Sequence, residues 1–245
     1  MRRMKNKKLK AILSITGYFL LVIALCFSAS LIFHNIYYEM VYVSGSSMYP
    51  TLNGEDEDDG SIVDFGIADY HKTAINNIKR FSIVSTYYYD DYGANEKVLA
   101  NAKVKIKRII AMPNETFKIE NGKLYVLENE EYKYIPNTFQ TEPSEYTGKD
   151  VESRTLGPDE YWVLGDHRDK SRDSGSINAP VKKSYILGVL VAIEGRAELK
   201  ISNYYCQSCN KSYKTATGTI CPDCYGPLIK NYKLVNKQYH WPTYF

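Results

Sequence analysis

The longest apolar run comes first. Between Ala11 and Phe33 the chain carries no charged side chain (AILSITGYFLLVIALCFSASLIF), a length that suits a helix crossing the hydrocarbon core of a bilayer. The pattern predicts a membrane span over 11–36, preceded by a basic tail over 1–10. A cleaved secretory signal is the alternative, carried by the small residues Ser28, Ala29 and Ser30, but the run exceeds the ~7 to 15 residues of a signal's apolar region. After the span the period changes. Short runs rich in Val, Ile, Tyr and Thr (SIVDF, FSIVSTYYY, KVKIKRII, KLYVL, EYWVLGD and ILGVLVAI) are separated by Gly, Pro, Asn and acidic clusters, which predicts a mainly β domain over 37–200. Segments 54–60 (GEDEDDG) and 128–152 read as solvated loops or peripheral insertions. In KVKIKRII, strict alternation groups Lys103, Lys105 and Lys107 on one face, opposite Val104 and Ile106. Periodicity alone therefore reads Lys107 as a surface lysine.

Charge sharpens the topology. The net charge of +3 hides an asymmetry: Arg2, Arg3, Lys5, Lys7, Lys8 and Lys10 all precede the apolar run, leaving 25 basic against 28 acidic residues elsewhere. The positive-inside rule then places the N-terminus in the cytoplasm and everything after the span outside it. A mildly acidic globular part gives no compositional basis for a nucleic-acid partner. At 245 residues the chain can hold one medium catalytic domain and a small extra module.

Candidate chemistry begins soon after the span, at Val43-Ser44-Gly45-Ser46-Ser47-Met48-Tyr49-Pro50-Thr51-Leu52. A serine in a turn bounded by Gly and Pro can present its hydroxyl beside a free backbone N–H, although such clusters are more often ordinary loops. Only four histidines exist (His34, His71, His167 and His240), and none has a recognisable triad context. A lysine can serve as base instead, provided burial lowers its pKa toward neutrality. The string S-M-x-P-T-L behind a membrane span resembles the nucleophile segment of type I signal peptidases. Lys107-Arg108-Ile109-Ile110-Ala111-Met112-Pro113-Asn114-Glu115 resembles that family's lysine segment, with Asn114 where glycine and Glu115 where aspartate are usual. A third stretch, Gly165-Asp166-His167-Arg168-Asp169-Lys170-Ser171-Arg172-Asp173-Ser174-Gly175, resembles its G-D-N-R-x-x-S-x-D-S-R loop, with His167 replacing asparagine and Gly175 the closing arginine.

The resemblance implies that Ser47 is the nucleophile and Lys107 its base. It further implies that Ser171 hydrogen-bonds the lysine amine, that Asp173 holds the loop, and that the Ser47 N–H is one oxyanion donor. Gly45 stands where some members carry a second donor, a serine, as in the single-span Gram-positive type. With the arginine absent, any cation for Asp173 has to come from Arg168, Lys170 or Arg172. Arg108 reads as a structural or ion-pairing residue. The substrates implied are exported preproteins, bound as an extended strand with small side chains at the first and third positions before the cut. Membrane lipid and the secretion machinery are the other implied partners, at a bacterial plasma membrane, and no cofactor is required for catalysis. Two rivals stay open: a peptidase of the same clan devoted to one substrate, and a membrane-anchored zinc-binding scaffold without activity.

Near residue 201 strand-like sequence gives way to CQSCNKSYKTATGTICPDCYG. Cys206, Cys209, Cys221 and Cys224 form two C-x2-C pairs, the spacing by which two tight turns aim four thiolates at one structural zinc. Two disulfides are the alternative outside the cytoplasm. Residues 201–245 are thus expected to form a zinc-ribbon-like module with an aromatic tail (Tyr239, His240, Trp241, Tyr244 and Phe245), which rests either at the membrane interface or against the ribbon.

Overall fold

The computed structural model describes residues 2–54, 59–87, 104–136, 150–216 and 218–245, with backbone alone for 2–13 and 32–35. Two compact units result, Met1–Glu39 and Met40–Phe245. The first is essentially α1 (Arg2–Tyr37), a single helix that includes the basic tail as well as the apolar run. Its segment Ser14–Leu31 is long and apolar enough to cross a membrane, and its side chains are exposed throughout.

The second unit is mainly β, and most of the apolar runs become strands. They are β2 (Ile62–Asp69), β3 (Ile83–Tyr87), β4 (Val104–Ala111), β6 (Lys123–Glu128), β9 (Glu160–Leu164) and the start of β11 (Ile186–Cys206). With β1 (Tyr38–Tyr42) and β10 (Val181–Lys182) they order one large sheet as β1-β2-β11-β3-β4-β9-β10. A second sheet, β7-β6-β5-β8, comprises β5 (Thr116–Glu120), β6, β7 (Glu131–Ile135) and β8 (Val151–Thr155). The expectation of loop across 128–152 is thus corrected at both ends. Strand β7 is a hairpin partner of β6 whose side chains are nearly all exposed, so it has no apolar alternation to read. Residues 137–149 of that segment, and 55–58 of the acidic run, lie outside the described residues.

Burial on both faces of β4 and β9 is what positions the chemistry. Along β9, Trp162 and Leu164 enter a cluster with Ile110, Phe117, Ile119 and Leu156, while Tyr161 and Val163 enter another with Val84, Ile109 and Ile186. Every residue of β4 from Lys107 to Ala111 is buried. A sheet covered on both sides abolishes the in/out alternation by which Lys107 reads as exposed, and the lysine is only 3% exposed. A third cluster joins Val43, Met48 and Leu52 of the serine segment to Ile83, Leu190 and Ile193, with Ile106 packed against it.

The boundary expected at 201 falls inside a strand. β11 runs unbroken from Ile186 to Cys206, and β13 (Leu228–Tyr244) pairs antiparallel with it from Cys206↔Leu228 back to Ala192↔Tyr244. The residues read as an aromatic tail are therefore the far end of a hairpin, and the cysteine turns, with β12 (Lys211–Tyr213), sit at its tip. Apolar and polar residues mix along β13 without alternation and none of them is buried, so apolar periodicity gives no sign of it; backbone pairing with β11 holds it instead.

Candidate active site

Lys107 enters from β4, whose backbone is paired to β3 at Val84↔Lys107. Its Nζ donates to Ser47 Oγ at 2.8 Å and to Ile106 O at 2.8 Å. Burial pushes the amine down to about 7, with the nearby positive charge of Lys105 adding to the drop and Asp166 opposing it. Near neutral pH a substantial share of this amine is uncharged. A neutral amine keeps an N–H for Ile106 O and has a lone pair able to take a proton from the Ser47 hydroxyl.

Ser47 itself is half-buried in a turn. Gly45, with φ 77°, adopts the left-handed backbone that swings the chain into this turn. Leu52 N donates to Met48 O at 2.9 Å and Tyr49 N to Ser46 O at 3.1 Å. Asp64, buried on β2, accepts from Asn53 N at 2.7 Å and from Arg196 Nε at 3.1 Å, fixing the exit of the segment. The Ser44 and Ser46 side chains are exposed at the turn, and the Ser47 N–H donates to no group among the described residues.

The third loop closes over this pair. A Cβ at Gly165 would collide with Ser171 Oγ and the Ser47 carbonyl oxygen, so only glycine allows the loop to lie this close. His167 N donates to Ser47 O at 3.0 Å. Ser171 lies at this junction, but the hydrogen bond expected from it to the lysine amine is not formed: its Oγ is buried and has no partner among the described residues. The cation expected for Asp173 is likewise replaced. Asp173 caps the short helix α2 (Ser174–Ile177), accepting from Gly175 N at 3.1 Å and Ser176 N at 3.3 Å through Oδ1, and from Gly165 N at 2.9 Å through Oδ2. A capping box completes the arrangement, since Ser176 Oγ receives the Asp173 N–H at 2.7 Å. Burial raises the Asp173 carboxyl to about 6, and the backbone donors at Gly165, Ser176 and Gly175 restrain the rise.

Arg108 illustrates what the sequence reading left unidentified. Its guanidinium meets Asp166 through Nε–Oδ1 at 2.9 Å and Nη2–Oδ2 at 2.6 Å, and also donates to Phe81 O at 2.9 Å and Thr51 Oγ1 at 3.4 Å. Both residues are 2% exposed. This pair ties β4, the serine segment and the third loop together. Asp166 was visible in the sequence beside Gly165, but nothing in local pattern names its partner.

The four cysteines form a second cluster at the hairpin tip. Their Sγ atoms all lie within 4.8 Å of one another, with Cys206–Cys224 at 3.4 Å and Cys209–Cys221 at 3.6 Å. Thiolates around a tetrahedral zinc at ~2.3 Å would stand roughly 3.8 Å apart. The donor set fits such an ion, and the structure pairs none of these cysteines as disulfides. Tyr213 Oη, 3.2 Å from Cys221 Sγ, supplies a nearby donor.

Known proteins are similar to parts of this chain. Thylakoidal processing peptidase 1, chloroplastic, of Arabidopsis thaliana is 28% identical over 154 residues, which is 60% of this chain but 39% of that protein. Signal peptidase I P of Bacillus subtilis subsp. natto is 25% identical over 155 residues, covering 59% of this chain and 70% of its own length. A crystal structure of a signal peptidase I from Enterococcus faecalis V583 superposes with a TM-score of 0.35 at 23% identity, over 46% of this chain and 97% of that one. The family model described as "Signal peptidase, peptidase S26" matches residues 14–193. That span contains the serine turn, the buried lysine and the loop that covers them, and stops short of the cysteines; the chain belongs to the signal peptidase, peptidase S26 family.

Proposed function

We propose that the chain is a membrane-bound serine endopeptidase of the signal peptidase I type that removes N-terminal signal peptides from exported preproteins. The observation that carries this reading is the 2.8 Å approach of Lys107 Nζ to Ser47 Oγ, with the amine buried and its pKa lowered to about 7. Ser47 Oγ attacks the scissile carbonyl while neutral Lys107 takes its proton. The Ser47 N–H receives the oxyanion, and Lys107 then protonates the departing amine as the acyl-enzyme forms. Water, deprotonated by Lys107, hydrolyses the acyl-enzyme and frees Ser47. Ser171, Gly45 and Asp173 support the turn and the loop without touching the reacting atoms.

The substrate enters as an extended strand beside β4. On one side β3 pairs Val104–Arg108; on the other, β9 takes up the edge only from Arg108 onward. Among the described residues no strand pairs that edge of Val104–Ile106, which offers backbone groups to a peptide immediately before the lysine. Ile106, half-buried and packed against the Met48 cluster, is the apolar surface nearest such a peptide, and small side chains before the cut are the expected preference there. Residues 11–36 anchor the protein in a bacterial plasma membrane, the basic tail 1–10 is cytoplasmic, and the peptidase domain that follows the span faces outward with the secretion machinery as its neighbour. Residues 201–245 carry a zinc ion on Cys206, Cys209, Cys221 and Cys224, which is structural and takes no part in catalysis.

A preprotein-cleavage assay tests the reading. Ser47→Ala and Lys107→Ala each abolish cleavage, and a variant that cuts at the original rate overturns the dyad. Several unrelated preproteins as substrates would dismiss the single-substrate rival.

A further inference from the structure

His167 stands where the resembled loop carries asparagine, and it holds the serine turn at two consecutive peptide units. Its backbone N–H donates to Ser47 O at 3.0 Å, and its ring Nδ1 lies 3.2 Å from Ser46 O. A carbonyl oxygen can only accept, so Nδ1 carries the proton. The ring is steadied by Tyr49, whose centroid is 6.0 Å away. In a trans peptide the carbonyl of one residue and the N–H of the next lie in one rigid plane and point in opposite directions within it. Holding Ser46 O therefore aims the Ser47 N–H the other way, and that N–H is unspent among the described residues. Tyr49 N shares the Ser46 carbonyl at 3.1 Å, so the plane is held from two directions.

We propose that His167 is a positioning residue for oxyanion stabilisation, acting through the Ser46–Ser47 peptide plane by a hydrogen bond from its ring Nδ1. It touches neither substrate nor the proton path; its contribution is the direction of one donor. This inference rests on the Ser47/Lys107 reading. Loss of aim should slow acylation and leave substrate binding alone, because an oxyanion exists only after attack.

An isosteric pair isolates the donor. In His167→Asn, Nδ2 stands the same number of bonds from Cα as the histidine Nδ1 and can donate to Ser46 O; in His167→Asp there is no donor at that place. Steady-state preprotein cleavage by the full-length protein should show kcat lowered about tenfold or more in the Asp variant with KM within twofold, and return to within about threefold of the parent in the Asn variant. Thermal midpoints should stay close together, since the ring is half-buried at the surface. Should the Asp variant fail to fold, His167→Ala removes the donor without adding a carboxylate. Equal rates for all variants, equal losses in Asn and Asp, or an effect confined to KM would each overturn the proposal. Ser47→Ala and Lys107→Ala in the same assay separate the two readings. If they stay active, the dyad fails; if they are dead while the Asp variant matches the parent, only the role of His167 fails.

Discussion

The peptidase body and the cysteine hairpin solve the same problem by different means. The body surrounds β4 and β9 with fully buried Trp162, Phe117, Ile109 and Val163, and it can hold an amine and an ion pair in that interior because apolar burial offsets their cost. Among the described residues from 201 to 245 only Cys206 and Cys221 are buried. A tip with so little apolar burial has backbone pairing with β11 to order it and, on the proposed reading, the ion that the four thiolates fit. Core-built regions tolerate polar intrusions and metal-built ones do not need a core.

Removal of the metal should break this comparison most forcefully. Zinc in such four-cysteine sites is worth on the order of 10 kcal/mol of folding free energy, so chelation, or Cys221→Ser, should expose the amides around 206–228 to hydrogen exchange. The body's thermal midpoint and its cleavage rate should be unchanged; joint unfolding would join the two regions into one. Next in size, Lys107→Met should reduce cleavage by about a thousandfold or more, while raising the stability of the body at pH 6 by a few kcal/mol, read by urea unfolding. The sign follows from the lowered pKa: between about 7 and 10.5 the unfolded chain binds the proton that the folded chain releases. The parent therefore gains stability as pH rises through that window, and below it bears the full cost that methionine removes.

Asp166→Asn tests the other buried charge on β4. It leaves the Arg108 guanidinium without its anion and should cost about 3 to 5 kcal/mol in urea unfolding. Asp173→Ala removes a helix cap and the acceptor for Gly165 N, and a loss of about 2 kcal/mol is expected by the same measurement. The subtlest effect is in the pH profile. Cleavage at limiting substrate should rise with pH through about 7 and then level as Lys107 loses its proton. Because Asp166 holds that pKa up, Asp166→Asn should move the rise to lower pH.

Lys107 and Arg108 show how much of the site local pattern can convey. They are adjacent and equally hidden, although strict alternation sets them on opposite faces of the strand, and they meet different partners. The Arg108 guanidinium takes Asp166 as a two-point partner, whereas Lys107, with no carboxylate hydrogen-bonded to its amine, is pushed down to about 7 by burial. The loop after β9 offered a similar ambiguity. Its missing arginine points to another cation, but three backbone amides serve Asp173 instead, two at the start of α2, where a helix supplies free N–H groups, and the third from Gly165. Strand β13 escaped notice because a strand held by pairing along one edge needs no apolar alternation.

The sequence by itself determined the apolar helix, the mainly β body, the order of the three motifs and the spacing of the cysteine pairs. Each of these is written in neighbouring residues, through period, charge or the reach of a tight turn. Only the tertiary structure decided that Lys107 is buried beside Ser47, that Arg108 and Asp166 find each other, that Ser171 leaves its hydroxyl unpaired, and that His167 grips the serine turn. These outcomes depend on a sheet covered on both faces and on strands brought together from more than fifty residues apart. Burial and pairing of that kind belong to the assembled sheet, and no local window of sequence contains them.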